Sequence, residues 1–179
     1  SFLYVGRLVE KKKVRLLLDA FIEGVTSGVL NNDIRLVFVG DGADRSSLEN
    51  RVRESGLLDR VEFVGHISNI EELRGYYARA ICSVSPGYVG LSATQSFSFG
   101  VPMLIARDEF HSPEIESCKE GFSAEFFNSD STAALLRELQ RMAEGKHVML
   151  NKREEVSEWA ASHYSFEIMR DTFVKLIGS

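Results

Sequence analysis

Short apolar runs rich in β-branched and aromatic residues recur along the chain, and longer amphipathic segments separate them. Five runs are clear and a sixth is weaker: residues 2–6, 34–40, 61–65, 80–86 and 101–106, then 123–127. Repeated alternation of strand and helix is typical of a parallel sheet with right-handed crossover helices. The sequence therefore predicts an α/β fold, a Rossmann-like doubly wound parallel sheet with helices on both faces.

The segments between the runs have the spacing of amphipathic helices. Residues 14–25 place apolar side chains at positions 14, 17, 18, 21, 22 and 25, which follow the period of one helix face. Further helices are predicted over 43–56 and over 69–80, where Asn69 is an N-cap candidate. Each of these helices connects two consecutive predicted strands.

After Asp130 the alternation ends and only helical patterns follow. They cover residues 131–145, with Ser131 as a cap candidate, and then 152–164 and 166–178. We expect residues 131–179 to form a helical tail that packs on the sheet or crosses to a neighbouring domain. No linker divides the chain, so residues 1–179 are predicted to form a single domain.

Composition narrows the class of protein. A chain of 179 residues that is 44% apolar can bury one α/β core. The net charge of −5 disfavours binding to nucleic acid, which needs clustered cations. Cys82 and Cys118 have no partner at metal-ligand spacing, so we expect reduced thiols in a cytoplasmic protein and no metal site.

Two further features of the sequence are the length of its apolar stretches and the residues with which it begins. No continuous apolar stretch reaches the ~18 to 20 residues that cross a bilayer, so no membrane span is expected. The chain begins without Met, directly in a run typical of a buried strand. We therefore expect it to be a fragment of a longer protein.

Glycines follow several of the predicted strands. Gly6, Gly40, Gly65 and Gly87 each stand at or near the end of an apolar run. The carboxyl ends of parallel strands form a ligand crevice, which such glycines would keep open; the alternative is that they only permit turns. VGDGADRSS does not complete a dinucleotide-binding motif, because Arg45 stands at the third glycine position, and no P-loop or nucleophile elbow occurs.

Two basic residues follow the first predicted strand. Arg7 comes directly after it, and Lys12 lies five residues later, near the start of the first helix. Together with free helix N–H groups, a guanidinium and an ammonium at this place would bind a diphosphate. The alternative is a solvated basic run, which is the interpretation favoured for Lys11 and Lys13.

The order of motifs resembles the C-terminal, donor-binding half of a GT-B glycosyltransferase of family 4, within the glycosyl transferases group 1. The matching stretches are YVGRLVEKKKVRLLLDAF, LVFVGDGADRSSLE, VEFVGHISNIEELRGYYARA, SVSPGYVGLSATQSFSFGVPMLI and HSPEIE followed by EGFSAEFF. The resemblance covers roughly residues 2 to 178 and includes similarity to bacterial surface-polysaccharide transferases.

The resemblance implies a role for each matched position. Arg7 and Lys12 match the catalytic pair that grips the nucleotide diphosphate and stabilises the leaving group. Donor contacts are expected from Gly6. The loop that meets the base is matched by Gly65, His66 and Ile67. The helix start that faces the diphosphate and sugar is matched by Gly90, Leu91 and Ser92. The glycines at 87 and 90 would then clear space for a nucleotide sugar.

The chain departs from the family pattern at two positions. Typical members carry two glutamates eight positions apart, and the matching positions here are Gly87 and Gln95. Gln95 can still hydrogen-bond ribose hydroxyls, whereas Gly87 offers no side chain. We expect Tyr88, Ser92 or a backbone group to take over the contact to the transferred sugar.

The activity implied by the resemblance is retaining transfer of a hexosyl group from a UDP- or GDP-sugar to a glycan or lipid-linked acceptor in polysaccharide biosynthesis. No cofactor is expected, because family members use cationic side chains at the diphosphate. The acceptor site belongs to an N-terminal domain absent from this chain, so the isolated piece should bind nucleotide weakly and transfer no sugar. The full-length protein is expected in the cytoplasm, with peripheral association at the inner face of the plasma membrane left open.

Three points remain open at this stage. A non-catalytic nucleotide-sugar-binding module or degenerate partner subunit would have the same fold, and a GT-B sugar-nucleotide epimerase is a less favoured alternative. His66 and His111 lie near predicted strand ends and either line the cleft or have structural roles. Glu114 follows Pro113 at a predicted helix start capped by Ser112, and it either favours the helix dipole or faces the cleft.

Overall fold

The computed structural model describes residues 1–145 and 148–164. Within this part of the chain, six strands form one sheet: β1 (Phe2–Val5), β2 (Leu36–Val39), β3 (Val61–Gly65), β4 (Cys82–Ser85), β5 (Met103–Ala106) and β6 (Ala124–Phe127). All six predicted strands are present, and most are shorter at their ends than the apolar runs.

The sheet has the order β3-β2-β1-β4-β5-β6, and all neighbouring strands pair in parallel. The chain moves outward from β1 to β3 and then returns to the other side of β1 at β4. This is the doubly wound order, and it creates a crevice outside the carboxyl ends of β1 and β4, where the crossovers diverge. The predicted α/β fold class is confirmed.

Helices cover both faces of this sheet: α1 (Val14–Thr26), α2 (Arg45–Ser55), α3 (Ile70–Arg79), α4 (Ser92–Ser98), α5 (Thr132–Ala143) and α6 (Arg153–Tyr164). Alternate residues of β1 point to opposite faces, as the period of a strand requires. Phe2 and Tyr4 join the core beneath α1, α2 and α5, whereas Leu3 joins the core beneath α3. Helices α4 and α6 enclose a third cluster with β5.

Two predicted helix caps are confirmed. The Asn69 side chain accepts hydrogen bonds from the N–H groups of Glu71 at 2.9 Å and Glu72 at 3.2 Å. Ser131 Oγ accepts from the Ala134 N–H at 3.1 Å. These bonds satisfy donors that the first turn of a helix leaves without an intrahelical acceptor.

The helical region after β6 packs back on the domain. Arg153 donates to the carbonyl of Ala80 at 2.8 Å and to that of Tyr77 at 3.2 Å, so its positive charge meets the carboxyl end of α3. Gly100 ends the α4 segment with φ +68°, and a Cβ there would lie 2.4 Å from the Arg153 carbonyl oxygen. The predicted helix over 166–178 lies outside the described residues. No helix in the described ranges combines the length and apolarity needed to cross a membrane.

Candidate functional site

A cleft opens outside the carboxyl ends of β1 and β4, where the crossover direction changes. Its first part has a volume of about 500 Å³. The predicted site residues that line it are Gly6, Arg7, Lys12, Tyr88, Leu91, Ser92 and Gln95. Side chains separated by more than 80 positions in the sequence therefore meet in one pocket.

A second part of the cleft, about 410 Å³, extends toward β2 and the loop after β3. It shares four lining residues with the first part, namely Val5, Gly6, Arg7 and Gln95. His66 and Ile67 line only this second part. Because Arg7 and Gln95 border both parts, the two cavities form one continuous cleft with these side chains at the junction.

Arg7 is exposed at this junction, and its backbone is fixed from below. The buried Tyr4 hydroxyl donates to the Arg7 carbonyl at 2.8 Å, and burial raises the pKa of Tyr4, which keeps the hydroxyl protonated. Among the described residues, no carboxylate forms an ion pair with the Arg7 guanidinium. As far as the described residues are concerned, its five N–H donors are therefore available to an anion in the cleft.

Lys12 is half-buried, and within residues 1–145 and 148–164 it has polar partners but no ion pair with a carboxylate. Its Nζ donates to the Tyr88 carbonyl at 2.8 Å and stands 4.4 Å from the centre of the Tyr88 ring. Burial lowers the pKa of Lys12 to about 8, and the charges of Lys11 and Arg7 act in the same direction. An anion bound beside Lys12 would reverse this shift, since an opposite charge favours the ammonium form.

Lys13 has a different environment from Lys12. It adopts a left-handed backbone conformation (φ +49°), and its Nζ lies 2.5 Å from a Glu109 carboxylate oxygen and 2.8 Å from one of Asp130. The hydrogen bonds that the Lys13 ammonium donates to the carboxylates of Asp130 and Glu109 raise the pKa of Lys13. The interpretation of Lys13 as part of a solvated basic run was wrong, because this residue ties the loop after β1 to the loops after β5 and β6.

Gly87 does not clear space for a ligand. A Cβ at this position would lie 2.7 Å from the Lys11 carbonyl oxygen and 2.9 Å from the Lys12 carbonyl carbon, so the backbone of the cationic loop fills that space. At Gly90 the nearest atoms to a Cβ would be the Tyr88 ring at 3.5 Å and Ser112 Oγ at 3.6 Å, which is ordinary contact. The expectation that both glycines accommodate the ligand is therefore wrong for Gly87.

Gly65 and Gly90 are the predicted site residues that line neither part of the cleft. The Gly65 carbonyl accepts from the Gly40 N–H at 2.7 Å, which joins the ends of β3 and β2. Gly90 lies in the turn between the lining residues Tyr88 and Leu91. Both glycines thus shape loops that carry lining residues.

The segment after β5 contains two residues, His111 and Glu114, for which the sequence left a role in the cleft open. His111 and Glu114 line neither part of the cleft. Ser112 does not cap the 3₁₀ helix Pro113–Ser117: its hydroxyl contacts the Val89 carbonyl at 2.9 Å and the Glu114 carboxylate. The hydrogen bond from Ser112 lowers the pKa of Glu114.

Gln95 stands at one of the two positions where the family resemblance implies a glutamate. Its Oε1 accepts a hydrogen bond of 3.4 Å from the hydroxyl of the buried Tyr77. Burial raises the pKa of Tyr77, so the hydroxyl keeps its proton and can donate. This contact orients the amide of Gln95 at the junction of the cleft and directs its N–H donors away from Tyr77.

Gly40, one of the glycines expected at the crevice, lines its second part. Sequence reasoning missed several other lining residues: Val5, Val39, Asp41, Leu73, Thr94, Ser98 and Tyr164. Thr94 and Ser98 lie three and seven positions after Leu91, on the same side of α4 as Gln95. Helical periodicity could have found them. Tyr164 ends α6, and no local pattern connects it with the cleft.

Comparisons with known proteins relate this cleft to a family. The model of the glycosyl transferases group 1 family matches residues 1–160. A 2-deoxystreptamine glucosyltransferase from Streptomyces kanamyceticus is 37% identical over 68 residues, which are 38% of this chain and 17% of that protein.

Solved structures agree on the fold. HepE from Anabaena, in complex with UDP, matches with a TM-score of 0.80 at 16% identity, over 99% of this chain and 48% of HepE. The C-terminal domain of the glycosyl transferase group 1 family protein LpcC from Francisella tularensis matches with a TM-score of 0.75 at 16% identity, over 92% of this chain and 86% of that domain. The chain thus spans less than half the length of HepE.

The two kinds of comparison support different statements. At 16% identity, the structural likeness shows the fold, which is that of a C-terminal GT-B domain. The family model covers most of the sequence, from residue 1 to residue 160 of 179. The chain therefore belongs to the glycosyl transferases group 1 family.

Proposed function

We propose that this chain is the donor-binding domain of a retaining hexosyltransferase of family 4, which takes a UDP- or GDP-sugar and serves polysaccharide biosynthesis. The observation that carries the proposal is the charge of the first part of the cleft: Arg7 and Lys12 line it, and none of its other described lining residues is a carboxylate. Two uncompensated cations at the switch point of a doubly wound sheet are complementary to a diphosphate. The HepE structures with UDP and with UDP-glucose support the same ligand class.

The two cations would act on the leaving group. Cleavage of the bond between the anomeric carbon and the diphosphate oxygen leaves negative charge on the diphosphate. Arg7 offers a planar fork of donors, and Lys12 offers a point charge held in place by Tyr88. Charge stabilisation is most effective when the groups are already in position, as the Tyr88 contacts hold Lys12.

We assign the nucleoside to the second part of the cleft and the diphosphate to the first. The loop of His66 and Ile67 would meet the base, and Gln95, which borders both parts, would meet the ribose. With its Oε1 engaged by Tyr77, Gln95 would donate to a ribose oxygen, whereas a glutamate would accept. The transferred sugar would then lie toward Tyr88 and Ser92.

The acceptor, a glycan or a lipid-linked glycan, would bind to a part of the whole protein outside this chain. The chain spans 48% of HepE, which leaves room for a second domain in a protein of that size. The isolated chain is therefore expected to bind nucleotide weakly and to transfer no sugar. We place the reaction in the cytoplasm.

Calorimetry of the full-length protein against UDP, GDP and their sugars, followed by turnover measurements with the bound donor, tests this proposal. Binding and sugar transfer together are the expected result. Binding without transfer would instead indicate a non-catalytic nucleotide-sugar-binding module, which the replacement of both glutamates by Gly87 and Gln95 favours as the second candidate. Release of UDP or a 2-epimer without any acceptor would indicate an epimerase, and absence of binding would contradict the proposal.

A further inference from the structure

The loop that follows β4 is held by the segment that follows β5. Val89 lies at the centre of this loop and is fully buried. Its N–H donates to His111 Nδ1 at 3.1 Å, and its carbonyl accepts from the Ser112 N–H at 3.2 Å. Both backbone polar groups of Val89 therefore have partners in the 111–112 segment.

The same hydrogen bonds define the tautomer of His111. A backbone N–H can only donate, so Nδ1 must be the unprotonated acceptor. Nε2 lies 2.9 Å from the Ala106 carbonyl oxygen, which can only accept, so Nε2 carries the proton. The imidazole is thus neutral and has a backbone partner at each nitrogen.

The peptide group that His111 holds is also the one that holds Lys12. The N–H of Val89 and the carbonyl of Tyr88 belong to a single peptide unit, and they point in opposite directions because that unit is trans. His111 Nδ1 accepts from one end at 3.1 Å, and Lys12 Nζ donates to the other at 2.8 Å. Hydrogen bonds in such a chain polarise one another and fix the plane of the peptide.

We propose that His111 is a positioning residue of the diphosphate site: by accepting from the Val89 N–H, it orients the Tyr88–Val89 peptide so that its carbonyl holds the Lys12 ammonium in the cleft. The inference rests on the proposed function, in which Lys12 meets the diphosphate. His111 itself lines neither part of the cleft, so it acts through this peptide and not by touching the donor. A rotated peptide would turn the Tyr88 carbonyl away and release Lys12.

Two conservative variants of His111 separate positioning from general support of the fold. His111→Asn keeps an acceptor at the Nδ1 position and loses the bond to Ala106, whereas His111→Gln keeps a donor near Nε2 and loses the bond to Val89. Each variant removes one backbone hydrogen bond, so a purely structural role predicts similar effects. We expect His111→Gln to weaken UDP or GDP binding by the full-length protein about tenfold, and His111→Asn to remain within about twofold of wild type.

The coupling to Lys12 is measured in a double-mutant cycle with the same nucleotide and the same calorimetric assay. Because His111 is proposed to act through Lys12, His111→Gln should cause no further loss of affinity in a Lys12→Met background. Independent, additive losses would overturn the proposal. Equal weakening by His111→Asn and His111→Gln, or wild-type affinity in His111→Gln, would do the same.

Two further results keep the inference separable from the proposed function and from misfolding. A wild-type protein that binds neither UDP nor GDP overturns the proposed function and this inference with it, whereas wild-type binding with an unaffected His111→Gln overturns the inference alone. Nitrogen-15 spectra of the His111 ring in the wild-type protein require no variant. They should show an unprotonated Nδ1 and a protonated Nε2, and the opposite tautomer would refute the proposal.

Discussion

At the amino edge of the sheet, the Arg60 side chain is buried, with 6% of the residue exposed. Its guanidinium donates to the carbonyls of Ile34 and Asn31 at 2.6–2.8 Å. Arg153, at the same edge, donates to carbonyls at the end of α3. At the carboxyl edge, Arg7 is exposed and pairs with none of the described carboxylates. One edge thus uses its arginines to satisfy backbone acceptors, and the other leaves a guanidinium available.

The cavities at the two edges differ in the same way. Each has a volume of about 500 Å³. Two arginines and two carboxylates line the one at the amino edge, namely Arg35, Arg79, Asp33 and Glu62. Arg7 and Lys12 line the one at the carboxyl edge, where no lining residue in the described part of the chain is a carboxylate. Size therefore does not distinguish the two cavities, whereas uncompensated charge at the switch point does.

The largest effect is expected on catalytic activity, when cations of the carboxyl-edge cavity and of the amino-edge cavity are replaced in turn. Arg7→Ala and Lys12→Ala in the full-length enzyme should each lower kcat/KM by roughly 10²- to 10³-fold, because each removes a preorganised charge from the leaving group. Steady-state kinetics with the donor that calorimetry identifies measures this loss. Arg79→Ala, a cation of the amino-edge cavity, is the matched control and should change kcat/KM by less than about twofold. An equal loss in Arg79→Ala would remove the functional distinction between the edges.

For stability the order is reversed, and we expect the larger effect from the arginine at the amino edge. Arg60→Ala removes the donors to the Ile34 carbonyl and one of the two donors to the Asn31 carbonyl, so the free energy of unfolding should fall by about 2–3 kcal/mol. Arg7→Ala should change it by less than about 0.5 kcal/mol, because that side chain is exposed. Urea denaturation of both variants measures the difference. Similar values for the two arginines would contradict the division between a structural and a functional edge.

Local patterns in the sequence were sufficient for the elements of the fold and for the two cations. The apolar runs and the 3.6-residue period predicted the sheet and its covering helices, and Asn69 and Ser131 marked helix starts. Arg7 and Lys12 were identifiable because both follow a strand whose carboxyl end faces the crevice. Their roles remain predictions, but the structure places both side chains in one pocket.

Contacts between distant segments were beyond local patterns. Lys13 reaches Glu109 and Asp130, which lie about a hundred residues away, and no spacing rule connects them. Gly87 looked like a ligand-binding glycine because the neighbour that fills its space, the Lys11 backbone, comes from another loop. Such contacts depend on the strand order, which brings β1 and β4 side by side across 76 intervening positions in the chain.

Gly87 and Gly90 provide a smaller test within the carboxyl edge itself. Gly87→Ala forces a methyl group against the Lys11 carbonyl at 2.7 Å, so the cationic loop must move, and we expect a loss of about 2 kcal/mol in the free energy of unfolding. Gly90→Ala meets only ordinary contacts and should keep the melting temperature of wild type. Restoring the family glutamate at 87 should also fail to increase activity, because its side chain starts from the same blocked position. Equal melting temperatures for the two alanine variants would contradict the packing described for Gly87.

The smallest expected effect follows from the lowered pKa of Lys12. Because burial moves that pKa from about 10.5 to about 8, the ammonium loses its proton as the pH rises through 8. UDP affinity should therefore fall about tenfold between pH 7 and pH 9. The ionisation of phosphate near pH 6 lies below this window and does not contribute. Lys12→Arg retains its charge throughout this range and should give a flat profile, even if its affinity is lower.

Stability should change in the opposite direction over an overlapping but higher pH range. Between about pH 8 and 10.5 the unfolded chain binds a proton at Lys12 that the folded chain has lost, so this residue makes the free energy of unfolding rise with pH. As the pH rises, UDP affinity thus falls while the free energy of unfolding increases. Opposite signs are expected for a cation that is partly desolvated in the folded protein and that binds an anion. Parallel titrations of UDP affinity and urea stability in wild type and Lys12→Met measure both slopes. If Lys12→Met retains either slope, another group is responsible for that pH dependence. In that case the partial burial of the Lys12 ammonium does not distinguish the carboxyl edge of the sheet from the amino edge.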